Sequence, residues 1–303
     1  MNNSNKISKI AFIGLGVMGY PMAGHLSNRG FDVTVYNRTV SKAQNWTTEY
    51  QGKFAVTPSE ASEGADVVAI CVGNDDDVRS VVYGDTGILN SMRAGSVLLD
   101  HTTTSAELAE ELASKCAERG IHFMDAPVSG GQAGADNGAL TIMCGGQKDV
   151  FNAALPVLSS YSKQAVLLGD NGQGQRCKMV NQICIAGVLK GLSEAVLLAQ
   201  KSGLNMEQVL DVLKHGAAGS WQMANRAVTM SQNKFDFGFA IDWMRKDLKF
   251  CLDEAEKNGL SLPLTQEVDR QYLSLQERGL GRLDTSVLIK ALSLIHISEP
   301  TRR

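Results

Sequence analysis

Short apolar runs alternate with helical patterns through the first half of the chain. Lys9–Leu15, Asp32–Tyr36, Asp66–Val72, Val97–Asp100, His122–Ala126, Leu140–Cys144 and Ala165–Leu168 are each predicted as strands. Most are rich in Val, Ile and Leu and lack polar alternation, as strands covered on both faces do. Helical patterns lie between several of them, Pro21–Arg29 and Ser105–Arg119 among these. Such alternation predicts a doubly wound, mostly parallel sheet.

After about Gly169 the strand signals stop. A helix is expected from Gln175 to Ser202, closed by Gly203 as its C-terminal cap. Further helices are expected near Met206–His215, Ile241–Asn258 and Pro263–Arg278. The predicted organisation is an α/β domain over residues 1–169 and an all-helical domain over residues 170–292. The Gln175–Ser202 helix is too long for a small domain to cover, which predicts a homodimer or homotetramer. Residues 293–303 have no helical period to match Val287–Leu292 and read as a non-native tail. No function is placed there, His296 included.

Composition narrows the function classes. The 303 residues are 44% hydrophobic and 20% charged, as in ordinary soluble proteins with room for two cores. Twenty-nine basic and 32 acidic side chains leave a net charge of −3, with no basic field to hold a nucleic acid. None of the six cysteines forms a C-x-x-C pair, and no His/Cys cluster has zinc-ligand spacing. Reduced thiols and a cytoplasmic location are the expectation. Met1–Lys6 is polar and shows no signal-peptide apolar region. The longest apolar stretch, Met179–Ala199, contains Asn181, Gln182, Lys190 and Glu194. It reads as a buried helix, too polar to span a membrane.

Candidate chemistry begins with Gly14-Leu15-Gly16-Val17-Met18-Gly19, a G-x-G-x-x-G between a predicted strand and helix. In that setting the pattern marks a Rossmann dinucleotide site, with the pyrophosphate over the helix N-terminus. A glycine-rich turn that binds nothing is the alternative. NAD enzymes usually carry an acid about 20 residues on, for the ribose 2′-hydroxyl. Here the second strand ends Tyr36-Asn37-Arg38-Thr39, with no carboxylate to repel a 2′-phosphate. NADP(H) is therefore favoured and NAD(H) stays open, unless Arg38 is only a solvated loop residue.

Three more segments are polar where the fold has no need of it. Asp125-Ala-Pro-Val-Ser-Gly-Gly131 ends a strand, and Ser129, Gly130 and Gly131 could nest a carboxylate or simply turn the chain. Lys178, Asn181 and Gln182 fall on one helix face after Gly172-x-Gly174. Desolvation of an amine there favours its neutral form and proton transfer, though a snorkelling structural lysine fits the same pattern. In Lys246-Asp247-Leu248 the apolar stripe runs Met244, Leu248, Cys251, Ala255, so periodicity alone puts Lys246 on the surface.

Together the segments F-I-G-L-G-V-M-G, D-A-P-V-S-G-G, G-Q-G-Q-R-C-K-M-V-N-Q and K-D-L resemble the β-hydroxyacid dehydrogenase family in order and spacing. That family includes 3-hydroxyisobutyrate dehydrogenases, tartronate semialdehyde reductases and glyoxylate/succinic semialdehyde reductases. The resemblance covers about Lys9 to Leu292 and implies a reductase or dehydrogenase of a small carboxylate-bearing substrate. It implies that Lys178 is the general acid/base and that Ser129, Gly130 and Gly131 hold the substrate carboxylate. By the same resemblance Asn181 or Gln182 orients the substrate, and Lys246 with Asp247 lines the cleft beside the nicotinamide. Val72, Asn74 and Thr103 match cofactor-contacting positions, and Trp221 matches a substrate-facing lid or else is core. Many members carry Asn four residues after the lysine, where this chain has Gln182. An imine reductase of the same architecture and a non-catalytic dinucleotide-binding module are the competing readings; the presence of Lys178 disfavours both.

Overall fold

The computed structural model describes residues 7–295. The chain divides into two compact units, the first ending at Lys178 and the second beginning at Met179.

In the first unit β1 (Lys9–Ile13), β2 (Asp32–Tyr36), β3 (Lys53–Phe54), β4 (Val67–Ile70), β5 (Val97–Asp100) and β6 (His122–Asp125) pair in parallel in the order β3-β2-β1-β4-β5-β6. Helices α1 (Gly19–Asn28), α2 (Val40–Glu49), α3 (Pro58–Ser62), α4 (Asp75–Val82) and α5 (Ala106–Ala117) connect them. Side chains alternate across a strand, so β1 feeds two cores. Ile10 and Phe12 pack with Val33, Val35 and Trp46 on one face; Ala11 and Ile13 pack with Val68, Ile70 and Leu112 on the other. The sequence order of the strands reverses between β1 and β4, and their carboxyl ends flank the crevice where such sheets take ligands.

Two predicted strands lie elsewhere than expected. Beyond β6 the chain forms β7 (Val128–Ser129), α6 (Gly131–Asp136), β8 (Leu140–Cys144), α7 (Lys148–Leu158) and β9 (Ser162–Leu167). Here β8 pairs with β7 antiparallel and with β9 in parallel, giving a separate three-stranded sheet. The apolar runs around residues 140 and 165 thus build a second sheet and do not extend the first. β1 also stops at Ile13, short of the expected Leu15, because Gly14 turns the chain with φ 98°.

Helix α8 (Gln173–Lys201) runs through the boundary between the units. In the second unit it is followed by α9 (Met206–Leu213), α10 (Trp221–Ser231), α11 (Ile241–Lys257), α12 (Pro263–Leu275) and α13 (Ile289–Ile295). Ala186, Leu189, Leu192 and Val196 of α8 share a core with Met223, Met230, Met244, Leu248 and Tyr272. Met244, Leu248, Cys251 and Ala255 form the expected buried stripe of α11.

The expectation that α8 is a buried helix is only half right. Just 39% of its most apolar stretch is buried, and length and composition alone would let it cross a membrane. Val180, Cys184, Val188 and Leu198 are exposed while the opposite face packs into the helical core. α13 runs on to Ile295, into the segment read as a tail. Residues 296–303, with His296, lie outside the described residues.

Candidate active site

The glycine loop divides into two structural positions and one open one. A Cβ on Gly14 would collide with the Cys71 carbonyl oxygen and sit 2.9 Å from Val72 Cγ1. A Cβ on Gly19 would strike the Gly14 carbonyl oxygen, so close strand–helix packing requires glycine at both. A Cβ on Gly16 would meet nothing within 4 Å. That open backbone lies just before α1, whose start has no side-chain cap. The Tyr20 amide already donates to the Gly16 carbonyl at 3.1 Å and Pro21 has no N–H, so the donors for an anion are the loop amides up to Gly19, and the loop fits a dinucleotide pyrophosphate.

Several expected cofactor residues turn out to shape the loop tips. Asn37 Oδ1 accepts from the Leu15 amide at 3.0 Å, and its Nδ2 donates to the Thr39 carbonyl at 3.0 Å. Asn74 Oδ1 caps α4 by accepting from the Asp77 amide at 2.8 Å, and the Val72 amide donates to Thr102 Oγ1 at 3.1 Å. Val17 is exposed, Met18 half-buried and Leu15 buried. The Arg38 side chain is 87% exposed, with its guanidinium 3.4 Å from Asp77 Oδ1. Thr103 is half-buried in the loop after β5.

Asp125, at the carboxyl end of β6, ties together the polar segments of the first unit. Its Oδ1 accepts from the Gly172 amide at 2.8 Å, and its Oδ2 accepts from the Gln175 amide at 3.0 Å. Gln175 in turn accepts from the Thr104 amide at 3.1 Å and donates to the Thr102 carbonyl at 2.8 Å. The start of α8 is thereby fixed to the ends of β5 and β6. A turn later Lys178, 8% exposed, donates from Nζ to the Val128 carbonyl at 2.9 Å. That carbonyl belongs to the peptide joining Val128 to Ser129. The amine therefore lies beside the Ser129-Gly130-Gly131 turn, where Gly130 and Gly131 take φ of 131° and 61°. A buried amine next to such a turn can pass a proton to an oxygen while amides hold a carboxylate.

Burial governs the ionisation of the carboxyls beneath this site. Desolvation pushes the Asp125 carboxyl up, against the two backbone amides that favour its charge. Asp100, its register partner on β5, is pushed up to about 7 by desolvation, and its Oδ2 has no hydrogen-bond partner. An acid whose folded pKa lies above its unfolded value contributes stability below the unfolded pKa and loses it as pH rises through the folded one. Asp100→Asn is therefore expected to become progressively more stable than wild type between about pH 4 and about pH 7. Urea unfolding midpoints of the two proteins across that range check the sign; a constant difference would rule it out.

The second unit holds the remaining expected residues. Gln182 is buried, donating from Nε2 to Asp247 Oδ2 at 2.7 Å and accepting from Asn181 Nδ2 at 2.7 Å. Asn181 is the more accessible of the two. Asp247 is buried as well; its Oδ1 lies 3.3 Å from the Lys246 ammonium without an aligned hydrogen bond. The surface position that periodicity gives Lys246 is corrected: its side chain is only 19% exposed. Trp243 and Phe250 flank it, with Nζ 5.9 and 5.6 Å from their ring centroids. Trp221 is not core. It is 54% exposed, stacked at 4.9 Å on the Arg226 guanidinium, which Asp284 anchors at 3.1 Å.

Asp125, Gln175, Asp77 and the Arg226–Asp284 pair received no role from the sequence. Only Asp125 left a signal: an acid closing a buried strand must find partners.

Known proteins resemble the chain throughout. A family profile described as the NAD binding domain of 6-phosphogluconate dehydrogenase matches residues 9–169. A second, described as NAD-binding of NADP-dependent 3-hydroxyisobutyrate dehydrogenase, matches residues 172–292. An uncharacterized oxidoreductase of Shewanella frigidimarina is 56% identical, over 94% of this chain and 98% of its own length. The 2-hydroxy-3-oxopropionate reductase of Escherichia coli is 33% identical, over 95% of this chain and 98% of its own. Among solved structures, a 3-hydroxyisobutyrate dehydrogenase of Mycobacterium tuberculosis with L-serine superposes with a TM-score of 0.85 at 28% identity. It covers 94% of this chain and 99% of that one.

Proposed function

This chain belongs to the β-hydroxyacid dehydrogenase family of nicotinamide-dinucleotide oxidoreductases, and on that premise we propose that it interconverts a short 3-hydroxy acid and its semialdehyde with NADP(H), Lys178 serving as acid and base. The observation that carries this reading is the buried Lys178 amine, 2.9 Å from the carbonyl that precedes Ser129.

The bound nicotinamide would supply the hydride in reduction and take it up in oxidation. Lys178 gives its proton to the carbonyl oxygen as the alcohol forms, and removes it in the reverse direction. Ser129 and the amides of Gly130 and Gly131 hold the substrate carboxylate. Of the two neighbours on α8, Asn181 orients the substrate, while buried Gln182 and Asp247 position Asn181. Family resemblance supports substrate-facing roles for Trp221 and Lys246. A panel of methylmalonate and tartronate semialdehydes, whose reduction gives 3-hydroxy acids, beside glyoxylate and succinic semialdehyde, whose reduction does not, tests the reading with NADPH. At least one of the first two should be reduced in preference to the others, and its uncharged aldehyde counterpart should not be. Turnover of a cyclic imine alone would overturn it.

Preference for NADP(H) is supported by Arg38 just past the tip of β2, in a segment that lacks the acid an NAD enzyme usually places there. Arg38→Ala is expected to raise the KM for NADPH by about tenfold and that for NADH by less than about twofold. Equal changes would show that Arg38 does not touch the 2′-phosphate.

The exposed stripe of α8 supports a homodimer. Val180, Cys184, Val188 and Leu198 recur along one face, interrupted by the exposed Glu194 one turn before Leu198, and exposed apolar faces mark protein contacts. Light scattering at micromolar concentration should return a multiple of the 32.6 kDa chain mass; the chain mass itself would contradict the proposal.

A further inference from the structure

The cofactor residue read from the sequence has a partner that the sequence conceals. Arg38 follows β2, and its guanidinium lies 3.4 Å from a carboxylate oxygen of Asp77, 39 residues further on. Asp77 is not a loose surface acid. It occupies the first turn of α4, where its own amide is held by the Asn74 cap at 2.8 Å, so the position of its backbone is fixed. Its carboxylate shares that turn with Asp75, which accepts from the Ser105 amide at 3.1 Å, and with Asp76, 3.9 Å from Arg79. Of these three acids, Asp77 is the one paired with Arg38.

We propose that Asp77 is a specificity-determining residue that limits the preference for NADPH over NADH by pairing with Arg38. This rests on the reading that Arg38 receives the 2′-phosphate. Two effects act in the same direction. A guanidinium paired with a carboxylate offers less net charge and fewer free N–H donors to a phosphate than an unpaired one. A carboxylate this close to the guanidinium would also repel directly a phosphate received there. NADH has no 2′-phosphate, so neither effect reaches it. Acidic residues recognise or reject the 2′ position from the end of the second strand in most such domains. In this chain Asn37 stands there, bonded into the loop, and α4 brings the carboxylate instead.

Dissociation constants for NADPH and NADH, measured by fluorescence titration without substrate, decide the matter for wild type, Asp77→Asn, Arg38→Ala and the double variant. Asp77→Asn should tighten NADPH about threefold to tenfold and leave NADH within about twofold. The gain should shrink in the Arg38→Ala background, since part of it comes from releasing Arg38, and it should diminish with added salt. Thermal melting of the variants without nucleotide controls for a changed helix start. If Arg38→Ala selectively weakens NADPH but Asp77→Asn shifts neither nucleotide, or weakens NADH, the role of Asp77 is overturned and the Arg38 reading stands. If Arg38→Ala affects both nucleotides equally, the Arg38 reading fails and takes this proposal with it.

Discussion

Lys178→Ala is expected to lower kcat by ~10²–10⁴ and to leave the dissociation constant for NADPH within about twofold. The size follows from the role: a positioned general acid contributes about that much. The split between kcat and binding follows from location. Lys178 sits on α8 and donates to Val128, whereas the glycine loop and Arg38 belong to β1, α1 and the end of β2. Removing the amine leaves the Val128 carbonyl without this donor, so some stability is lost as well. Lys178→Arg separates the two effects. It keeps a donor and a positive charge but holds its proton at neutral pH, so turnover should stay low while the melting temperature recovers. Full activity in Lys178→Arg would mean that the residue is structural.

The second large effect is on stability and falls on Asp125. Asp125→Ala should cost ~3–5 kcal/mol, because it strips the Gly172 and Gln175 amides of their acceptors inside the protein. Asp125→Asn keeps one acceptor but turns an NH₂ toward an amide N–H, so about 1–3 kcal/mol is expected. Both should also reduce kcat, since the turn they loosen is the one that aims Lys178. Chemical denaturation of the three proteins reads the first effect. A loss below about 1 kcal/mol for Asp125→Ala would show that the start of α8 is held by other means.

The parts of the molecule that were legible in the sequence share a cause. Buried parallel strands such as β4 and β5 are continuous apolar runs, and the glycine loop needs its residues at fixed spacing. The main helices of the second unit announce themselves by periodicity, and the first of them by Gly203 as its stop. What stayed hidden was short or long-range. β3 and β7 have two residues each, too few to show any period. By contrast α10 carries a stripe legible at helical spacing, Met223, Ala227 and Met230. Lys246 has Trp243 and Phe250 beside it at i−3 and i+4, but that its ammonium lies against both rings is a matter of side-chain placement that the apolar stripe does not encode.

The site divides the same way. Lys178, Ser129 and Gly16 carry signals in their own neighbourhoods. Asp125 and Gln175 act across 50 residues of sequence, and Asp77 reaches Arg38 across 39. Contacts of that range arise from strand order, in which β1, β4, β5 and β6 become neighbours. Only the folded sheet reveals them.

One measurement goes straight to the proposed reaction: incubation with NADPH deuterated at the transferable C4 position and the semialdehyde selected by the panel, followed by mass analysis of the alcohol. Direct hydride transfer predicts a single deuterium on the carbinol carbon in wild type, and the same label formed far more slowly in Lys178→Ala. An alcohol that carries no label from the cofactor, or a Lys178→Ala variant that labels it at the wild-type rate, would contradict the mechanism.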